Sequence, residues 1–259
     1  MEKLLLLLTL ILAAWQCQCA AQTAPVIPEV NPGRPTVATP ATLTPVGYLQ
    51  FESGGLAAWN SPEFSTRQSL NEVIKLAVHR RLQFLLLLEP IAHGRPDTTP
   101  ARFGDASLGL QAVLIPGEGA SPTISVSYFR QIRNSGSPDF DIGSASDSFQ
   151  LMFSNDMAGF HFDINGFINK QSNAGVGRAQ YGETVSVSHP IKKFTISGEL
   201  WHFTQPFVNS NAVGNLWAVS YPVRKNLVID SGFEHGFTAT STRWQVFAGF
   251  TYLLPHRLW

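Results

Sequence analysis

Charged side chains are scarce in this chain of 259 residues: Asp, Glu, Lys and Arg make up 14% of it, against about a quarter in typical soluble domains. Hydrophobic residues reach 44%, so the unusual feature is the missing charge rather than an apolar excess. The formal net charge is +0, and therefore nothing indicates a nucleic-acid partner.

Cysteine occurs only at Cys17 and Cys19, inside a stretch (1–21) that we interpret as a secretory signal. Its apolar core, 4–15, is too short to span a membrane as a helix, and Gln22 is the expected first residue after cleavage. A lipoprotein would be acylated at one of the two cysteines, but bulky side chains precede both. The mature chain would then hold no cysteine, which excludes disulfides and thiolate metal sites and suits export through an oxidising compartment.

Beyond Pro45 the sequence breaks into runs in which apolar and polar residues alternate. In the last run, 243–254, one face reads Trp244, Val246, Ala248, Phe250, Tyr252. That run is longer than an ordinary strand of about five or six residues and close to the ~9–11 that a tilted strand needs to cross a bilayer. We predict twelve strands, near 46–59, 69–79, 82–90, 102–115, 122–132, 146–156, 159–169, 178–189, 193–205, 211–222, 226–236 and 242–254.

The predicted connections alternate between long and short. A meander in a soluble domain has no reason to sort its loops by end, whereas an outer-membrane barrel has tight periplasmic turns and longer outer loops. An even number of strands also returns both chain ends to one side. The predicted short connections are Arg80-Arg81, 116–121, Met157-Ala158, 190–192 and 223–225.

The chemistry of the polar faces separates a membrane barrel from a soluble β-domain. A soluble exterior is usually rich in Lys, Glu, Asp and Arg, but the polar faces here carry mostly Ser, Thr, Gly, Asn and Gln. In 160–169, for example, Phe162 and Ile164 alternate with Asp163 and Asn165. We therefore predict an all-β, transmembrane antiparallel up-and-down β-barrel at 46–259, with apolar side chains toward lipid and polar ones toward a hydrated lumen.

Strand parity assigns individual side chains to the two faces. The charged residues on the polar face are interpreted either as a mildly acidic pore lining or as a lumen closed by structural salt bridges and hydrogen bonds. Aromatic residues near strand ends are expected to form girdles at the membrane interfaces. The predicted lumen-facing residues are Glu52, Lys75, Asp105, His161, Asp163, Asn165, Glu199, Asp230 and Glu234, and the predicted girdle residues are Phe149, Tyr181, Trp244 and Tyr252.

Between the signal and the barrel, residues 22–45 are rich in proline and threonine. Proline at that density excludes helix and central strand, and leaves extended chain. The composition favours a solvated periplasmic leader. The alternative is a segment that enters the mouth of the barrel and narrows it.

Several stretches resemble the bacterial outer-membrane proteins grouped as the MetA-pathway of phenol degradation family. These are NPGRPTV at 31–37 and TLTPVGYLQFE at 42–52, which resemble the entry to the first strand, GFHFD at 159–163 and GNLW at 214–217 in the middle of the barrel, and FTYLL at 250–254 in the closing strand. The resemblance covers essentially all of the mature chain. It implies an outer-membrane barrel and a transporter, and the family name implies uptake of aromatic or other hydrophobic compounds.

The end of the chain departs from many outer-membrane proteins, which finish on the aromatic residue of the last strand. Here Pro255 interrupts the strand and Trp259 lies beyond it. Recognition of the C-terminal strand by the outer-membrane assembly machinery is then expected at Trp259 or at Tyr252.

No motif for catalysis accompanies these strands. A Gly-x-Ser-x-Gly elbow, a P-loop and a paired-histidine zinc motif are absent, and the seven histidines show no metal-ligand spacing. Ser188-His189 is the nearest approach to the Ser–His pair of outer-membrane phospholipases, but adjacent residues point to opposite faces of a strand.

We therefore expect no enzyme and no cofactor, and a barrel that passes small molecules by diffusion. The first alternative is a non-conducting barrel whose outer loops, such as 133–145, bind a partner. A barrel-wall lipid hydrolase is the second alternative.

Overall fold

The computed structural model of the chain describes residues 27–62, 64–95, 101–119, 121–134, 145–171, 179–204 and 211–259. The predicted signal with its two cysteines and nearly all of the loop at 133–145 lie outside these residues. No helix among the described residues is long and apolar enough to cross a membrane.

Twelve strands form the regular structure of the described residues. They lie in the order in which the alternating runs predict them. Their bounds are β1 Leu49–Trp59, β2 Thr66–His79, β3 Leu82–Arg95, β4 Ala106–Ile115, β5 Thr123–Arg133, β6 Ala145–Met157, β7 Phe160–Gln171, β8 Gln180–Ile191, β9 Phe194–Thr204, β10 Asn211–Arg224, β11 Leu227–Gly236 and β12 Trp244–Leu253.

Each strand pairs with its neighbours in the sequence, and β1 pairs with β12, so that the sheet closes into a barrel. All of these pairings are antiparallel; Glu52 on β1, for example, lies opposite Val73 on β2 and Thr251 on β12. Closure leaves no strand with an unpaired edge. The predicted all-β, twelve-stranded up-and-down barrel is confirmed.

Two strands run past the prolines at which the sequence predicts that they end. Pro90 lies inside β3, where the pairing with β2 shifts between Leu70 and Glu72. Pro222 lies inside β10 at the shift between Pro222 and Arg224. Proline lacks the N–H that a ladder needs, and a bulge is a place where a strand tolerates that loss.

The short connections lie at one end, as predicted, except that 116–122 at that end has seven residues and is longer than 60–65 at the opposite end. Four of the five connections at one end are two-residue turns, namely Arg80-Arg81, Ala158-Gly159, Lys192-Lys193 and Lys225-Asn226. Ala158 and Gly159 both have positive φ, 53° and 81°, which suits the twist of a tight hairpin. We call this end of the barrel the turn end and the opposite end the loop end.

The outer face is apolar and the inner face is mostly polar. The rows that pair across strands carry exposed large side chains outside, including Phe84 at 51%, Leu110 at 39% and Tyr128 at 47%. Side chains such as Gln83 and Gln111 point inward and are buried. The inner face of β3 also holds Leu85, which explains why the sequence of that strand reads as apolar on both faces.

Candidate functional site

The N-terminal segment, residues 30–45, lies inside the barrel rather than outside it. It enters at the turn end, where Val30 N donates to Lys225 O at 2.9 Å. It returns to the same end, where Thr44 N donates to Gln83 Oε1 on β3 at 2.9 Å. A solvated periplasmic position, which the composition favours, is therefore wrong for these residues; the alternative placement in the barrel is the one observed.

On its way in, the segment is bound by polar side chains of β1. Gln50 Oε1 accepts from Asn31 N at 3.0 Å, and Glu52 Oε1 accepts from Gly33 N at 2.9 Å. Glu52 also forms an ion pair with Lys75 on β2, with Nζ and Oε1 2.6 Å apart. All three wall side chains are buried, which makes each hydrogen bond to the segment hard to replace with water.

Arg34 is the charged contact of the inward half of the segment. Its Nε and Nη2 donate to the two carboxylate oxygens of Asp230 on β11, at 3.2 and 2.9 Å. The guanidinium also lies 5.9 Å from the ring centre of Phe247 on β12. It fits because position 54 on β1 is glycine: a Cβ there would overlap the guanidinium of Arg34.

Glu199, on the inner face of β9, binds the middle of the segment. Its Oε2 accepts from Val37 N at 2.8 Å and its Oε1 accepts from Ala38 N at 2.7 Å. One residue further on, Asn165 on β7 accepts from Thr39 N at 2.6 Å and donates to Thr39 O at 3.0 Å. These two wall residues satisfy four backbone groups that proline-rich chain cannot pair by itself.

The returning half is bound by uncharged side chains. Ser154 Oγ on β6 accepts from Ala41 N at 2.7 Å, and Ser125 Oγ on β5 donates to Ala41 O. Gln111 on β4 donates to Pro40 O at 3.1 Å. Ala38 and Ala41 are both 0% exposed, so the segment is enclosed by the wall at this level.

Four of the residues singled out by parity bind the segment, namely Glu52, Asn165, Glu199 and Asp230. The other wall residues that bind it, Gln50, Gln83, Gln111, Ser125 and Ser154, were not singled out. Glu52, Lys75, Asp163, Asn165, Glu199 and Asp230 are buried on the inner face. His161 is half-buried near the turn end; its Nδ1 lies 2.7 Å from Asp156 and its Nε2 lies 3.2 Å from Asp163. Asp105 precedes β4 and accepts from Gln131, and Glu234 lies half-buried on β11.

The predicted girdle residues lie on the outer side of their strands. Trp244 is 45% exposed and stacks on His235, with ring centres 4.2 Å apart. Phe149 and Tyr181 are exposed near the loop end, whereas Tyr252 is half-buried near the turn end.

An apolar patch on the inner wall was not among the predicted site residues. Trp201 and Phe203 on β9 are buried beside Ala212, with Phe167 on β7 packed against them. We call Phe167, Trp201 and Phe203 the aromatic wall. The ring centre of Phe203 lies 5.6 Å from that of Phe167 and 6.1 Å from that of Trp201. Parity could have found Trp201 and Phe203, because they follow Glu199 on the same face of β9 at a spacing of two.

The candidate catalytic pair, Ser188 and His189, does not form a Ser–His site in the structure. The ring of His189 lies against Phe160, and its Nδ1 lies 2.8 Å from Gly159 O. Ser188 lies opposite His161 in the strand pairing, but both ring nitrogens of that histidine contact aspartates. Within the described part of the chain, no group of His, Cys, Asp and Glu could hold a metal ion.

Comparison with known proteins relates this geometry to outer-membrane channels by fold. The COG4313 outer membrane channel from Pseudomonas putida F1 superposes with a TM-score of 0.57 at 12% identity, over 87% of this chain and 100% of that one. The KdgM porin superposes with a TM-score of 0.52 at 12% identity, over 78% and 98% of the two chains. No protein-family model matches the sequence, and no curated protein matches it significantly.

Proposed function

We propose that this protein is a bacterial outer-membrane channel through which small molecules diffuse passively, and that residues 30–45 set the size of its passage. The observation that carries the proposal is a closed barrel, apolar outside and mostly polar inside, whose own N-terminal segment enters the lumen and returns to the turn end. Neither a cofactor nor a catalytic group is part of the proposal.

The outer surface supports a location in the outer membrane. Large apolar side chains are exposed on opposite sides of the barrel, as Phe84 on β3 at 51% and Leu200 on β9 at 61% illustrate. Such a surface would aggregate in water, but it suits the hydrocarbon layer that a transmembrane barrel faces. The two-residue turns would then lie in the periplasm, and recognition of the last strand by the assembly machinery would take place at that end.

Two features support an apolar or aromatic solute. The aromatic wall gives the lumen an apolar surface next to the segment. The carboxylates of Glu52 and Asp230 are matched by Lys75 and Arg34, so they do not attract a charged solute strongly. We propose membership of the MetA-pathway of phenol degradation family on the quoted sequence stretches, and the family name suggests the same class of solute.

A non-conducting structural barrel is the second candidate, favoured by the complete burial of Ala38 and Ala41 in the lumen. A lipid hydrolase built on Ser188 and His189 has no such support, because the two side chains do not meet.

Single-channel recording in planar bilayers separates the two candidates. Folded protein should give uniform conductance steps, smaller than those of a wide porin because the segment narrows the lumen. A variant in which residues 30–44 are replaced by Gly and Ser of equal length should give larger steps. If folded samples of both forms are silent, the channel proposal is wrong and the structural barrel is correct.

A further inference from the structure

We propose that Val37 occupies the binding site of the solute itself, so that a small apolar molecule carrying a hydrogen-bond acceptor passes by exchanging with Val37. This inference rests on the proposed channel function and adds to it the step that opens the passage. The site is the space between the aromatic wall and the apolar residues of β10 and β12.

Val37 is the apolar side chain with which the segment contacts both apolar clusters of the lumen. It packs against Trp201, Phe203 and Ala212 on one side. It also packs against a second cluster that includes Leu216 on β10 and Phe247 on β12. A single valine thus lies between two apolar surfaces that an apolar solute would contact in its place, and the burial of that solute would offset the loss of Val37.

Glycines on the neighbouring strands leave room for the large rings of the aromatic wall. A Cβ at Gly182 on β8 would overlap the ring of Phe203, and a Cβ at Gly214 on β10 would overlap the ring of Trp201. The indole Nε1 of Trp201 is buried and has no hydrogen-bond partner among the described residues. A buried donor without an acceptor is unfavourable, so a bound molecule whose acceptor atom pairs with this N–H would be stabilised.

The segment can leave without opening the barrel. Between residues 31 and 44 its hydrogen bonds to the wall, within the described chain, join it to wall side chains rather than to the sheet. Its exit to β1 passes through Gly47, whose φ of 83° is a conformation that favours glycine. Release therefore breaks none of the ladder bonds that close the twelve strands.

If the solute exchanges with Val37, an apolar solute should make the segment more accessible to a labelling reagent. A ligand that binds the state with the segment released shifts the population toward that state. Ala41→Cys is the reporter, since Ala41 is fully buried, and Thr42→Cys is the control, since Thr42 is exposed. Both are made with Cys17 and Cys19 replaced by Ser, in folded protein in lipid vesicles. Benzyl alcohol should raise the maleimide labelling rate of Ala41→Cys roughly fivefold or more, while glycerol should leave it unchanged and Thr42→Cys should respond to neither.

Two substitutions test whether the response to the solute arises at the site in the lumen or from an effect of the solute on the bilayer. Val37→Asp should release the segment and give fast labelling of Ala41→Cys without solute, whereas Val30→Asp, at the entrance, should not. Trp201→Phe should weaken the response to benzyl alcohol more than the response to toluene, because only the first carries an acceptor. Labelling that is independent of solute in the wild-type background would overturn the inference, and so would equal behaviour of the two aspartate variants.

A disulfide that fixes the segment to the wall reversibly distinguishes failure of this inference from failure of the channel proposal. Ala41→Cys with Ser154→Cys, or Thr39→Cys with Asn165→Cys, joins the segment to the wall when oxidised. In planar bilayers, benzyl alcohol should change the single-channel conductance of the reduced protein and leave that of the oxidised protein unchanged. An equal response in both states would contradict exchange but leave the channel intact, whereas silence of folded wild-type protein would contradict the channel.

Discussion

Arg34 and Asp230 lie 196 positions apart in the sequence and meet in the lumen through two hydrogen bonds. Asp230 has a side chain 1% exposed and Arg34 one 18% exposed, so the carboxylate is buried more deeply than its partner. A planar guanidinium and a carboxylate joined at two points give both energy and a fixed geometry. The pair therefore fixes the inward half of the segment against β11.

The first prediction concerns the energetic coupling of this pair. Arg34→Ala leaves the Asp230 carboxylate buried without its cation, so it should destabilise the folded protein more than Asp230→Ala, which frees Arg34 to move toward water. Because each single change removes the same contact, the double variant should be less destabilised than the sum of the two. A coupling of about 1–3 kcal/mol is expected from urea unfolding in lipid vesicles.

A coupling near zero would mean that Arg34 spends most of its time elsewhere. The exchanged variant, Arg34→Asp with Asp230→Arg, is the control for charge alone. It should recover part of the stability if the contact, rather than net charge, matters.

The second prediction uses two adjacent glycines on β1. Gly54 faces the lumen, where a methyl group would overlap Arg34, while Gly55 faces outward with no atom other than Ser69 O, at 3.9 Å, near its Cβ position. Gly54→Ala should therefore displace Arg34, loosen the segment and raise single-channel conductance.

Gly55→Ala is the matched control, because it adds the same methyl group to the same strand. It should assemble and conduct like the unmodified protein. Equal conductance of the two variants would show that Arg34 does not constrict the passage.

The third prediction concerns Glu199, which accepts from two consecutive N–H groups of the segment. A hydrogen bond contributes about 0.5–1.5 kcal/mol net, and Glu199 accepts two, so Glu199→Ala should remove a substantial part of the binding of the segment. Maleimide labelling of Ala41→Cys should become faster in this background, and that of Thr42→Cys should not change. Unchanged labelling of Ala41→Cys would mean that the neighbouring wall contacts hold the segment without Glu199.

The barrel can be predicted from sequence alone because each strand shows the alternation of apolar and polar residues within its own stretch of the chain. Alternation across 160–169 places Ile164 and Asn165 on opposite faces, and each has the burial that this parity implies: 44% for Ile164 and 1% for Asn165. Strand ends are less predictable, since a strand continues past a proline such as Pro90 only where its pairing with the neighbouring strand shifts, and that pairing is not visible in the strand's own sequence.

The lumen could be predicted only in part, because its contacts are non-local. Parity places Glu199 and Asp230 inside, but nothing near them in the sequence indicates that residues 34, 37 and 38 supply the partners. The proline-rich composition around Arg34 describes extended chain equally well in water and inside a barrel. A single arginine between Gly33 and Pro35, in a chain poor in charge, was the available signal for a buried partner.

The last prediction tests the two faces of β7 with one residue type. Ile164→Arg puts a charge on the outer face near the middle of the strand, where arginine in lipid costs roughly 2–4 kcal/mol. Asn165→Arg puts the same charge one residue along, on the lumen side, where water that enters as the segment moves aside can accommodate it. Because Asn165 binds Thr39 at two atoms, the second change should also displace the segment. Ile164→Arg should lose the heat-modifiable folded band on gels, whereas Asn165→Arg should keep that band and show larger conductance steps. Equal folding of both variants would mean that the outer face does not meet lipid, and the location proposed for the barrel would have to be abandoned.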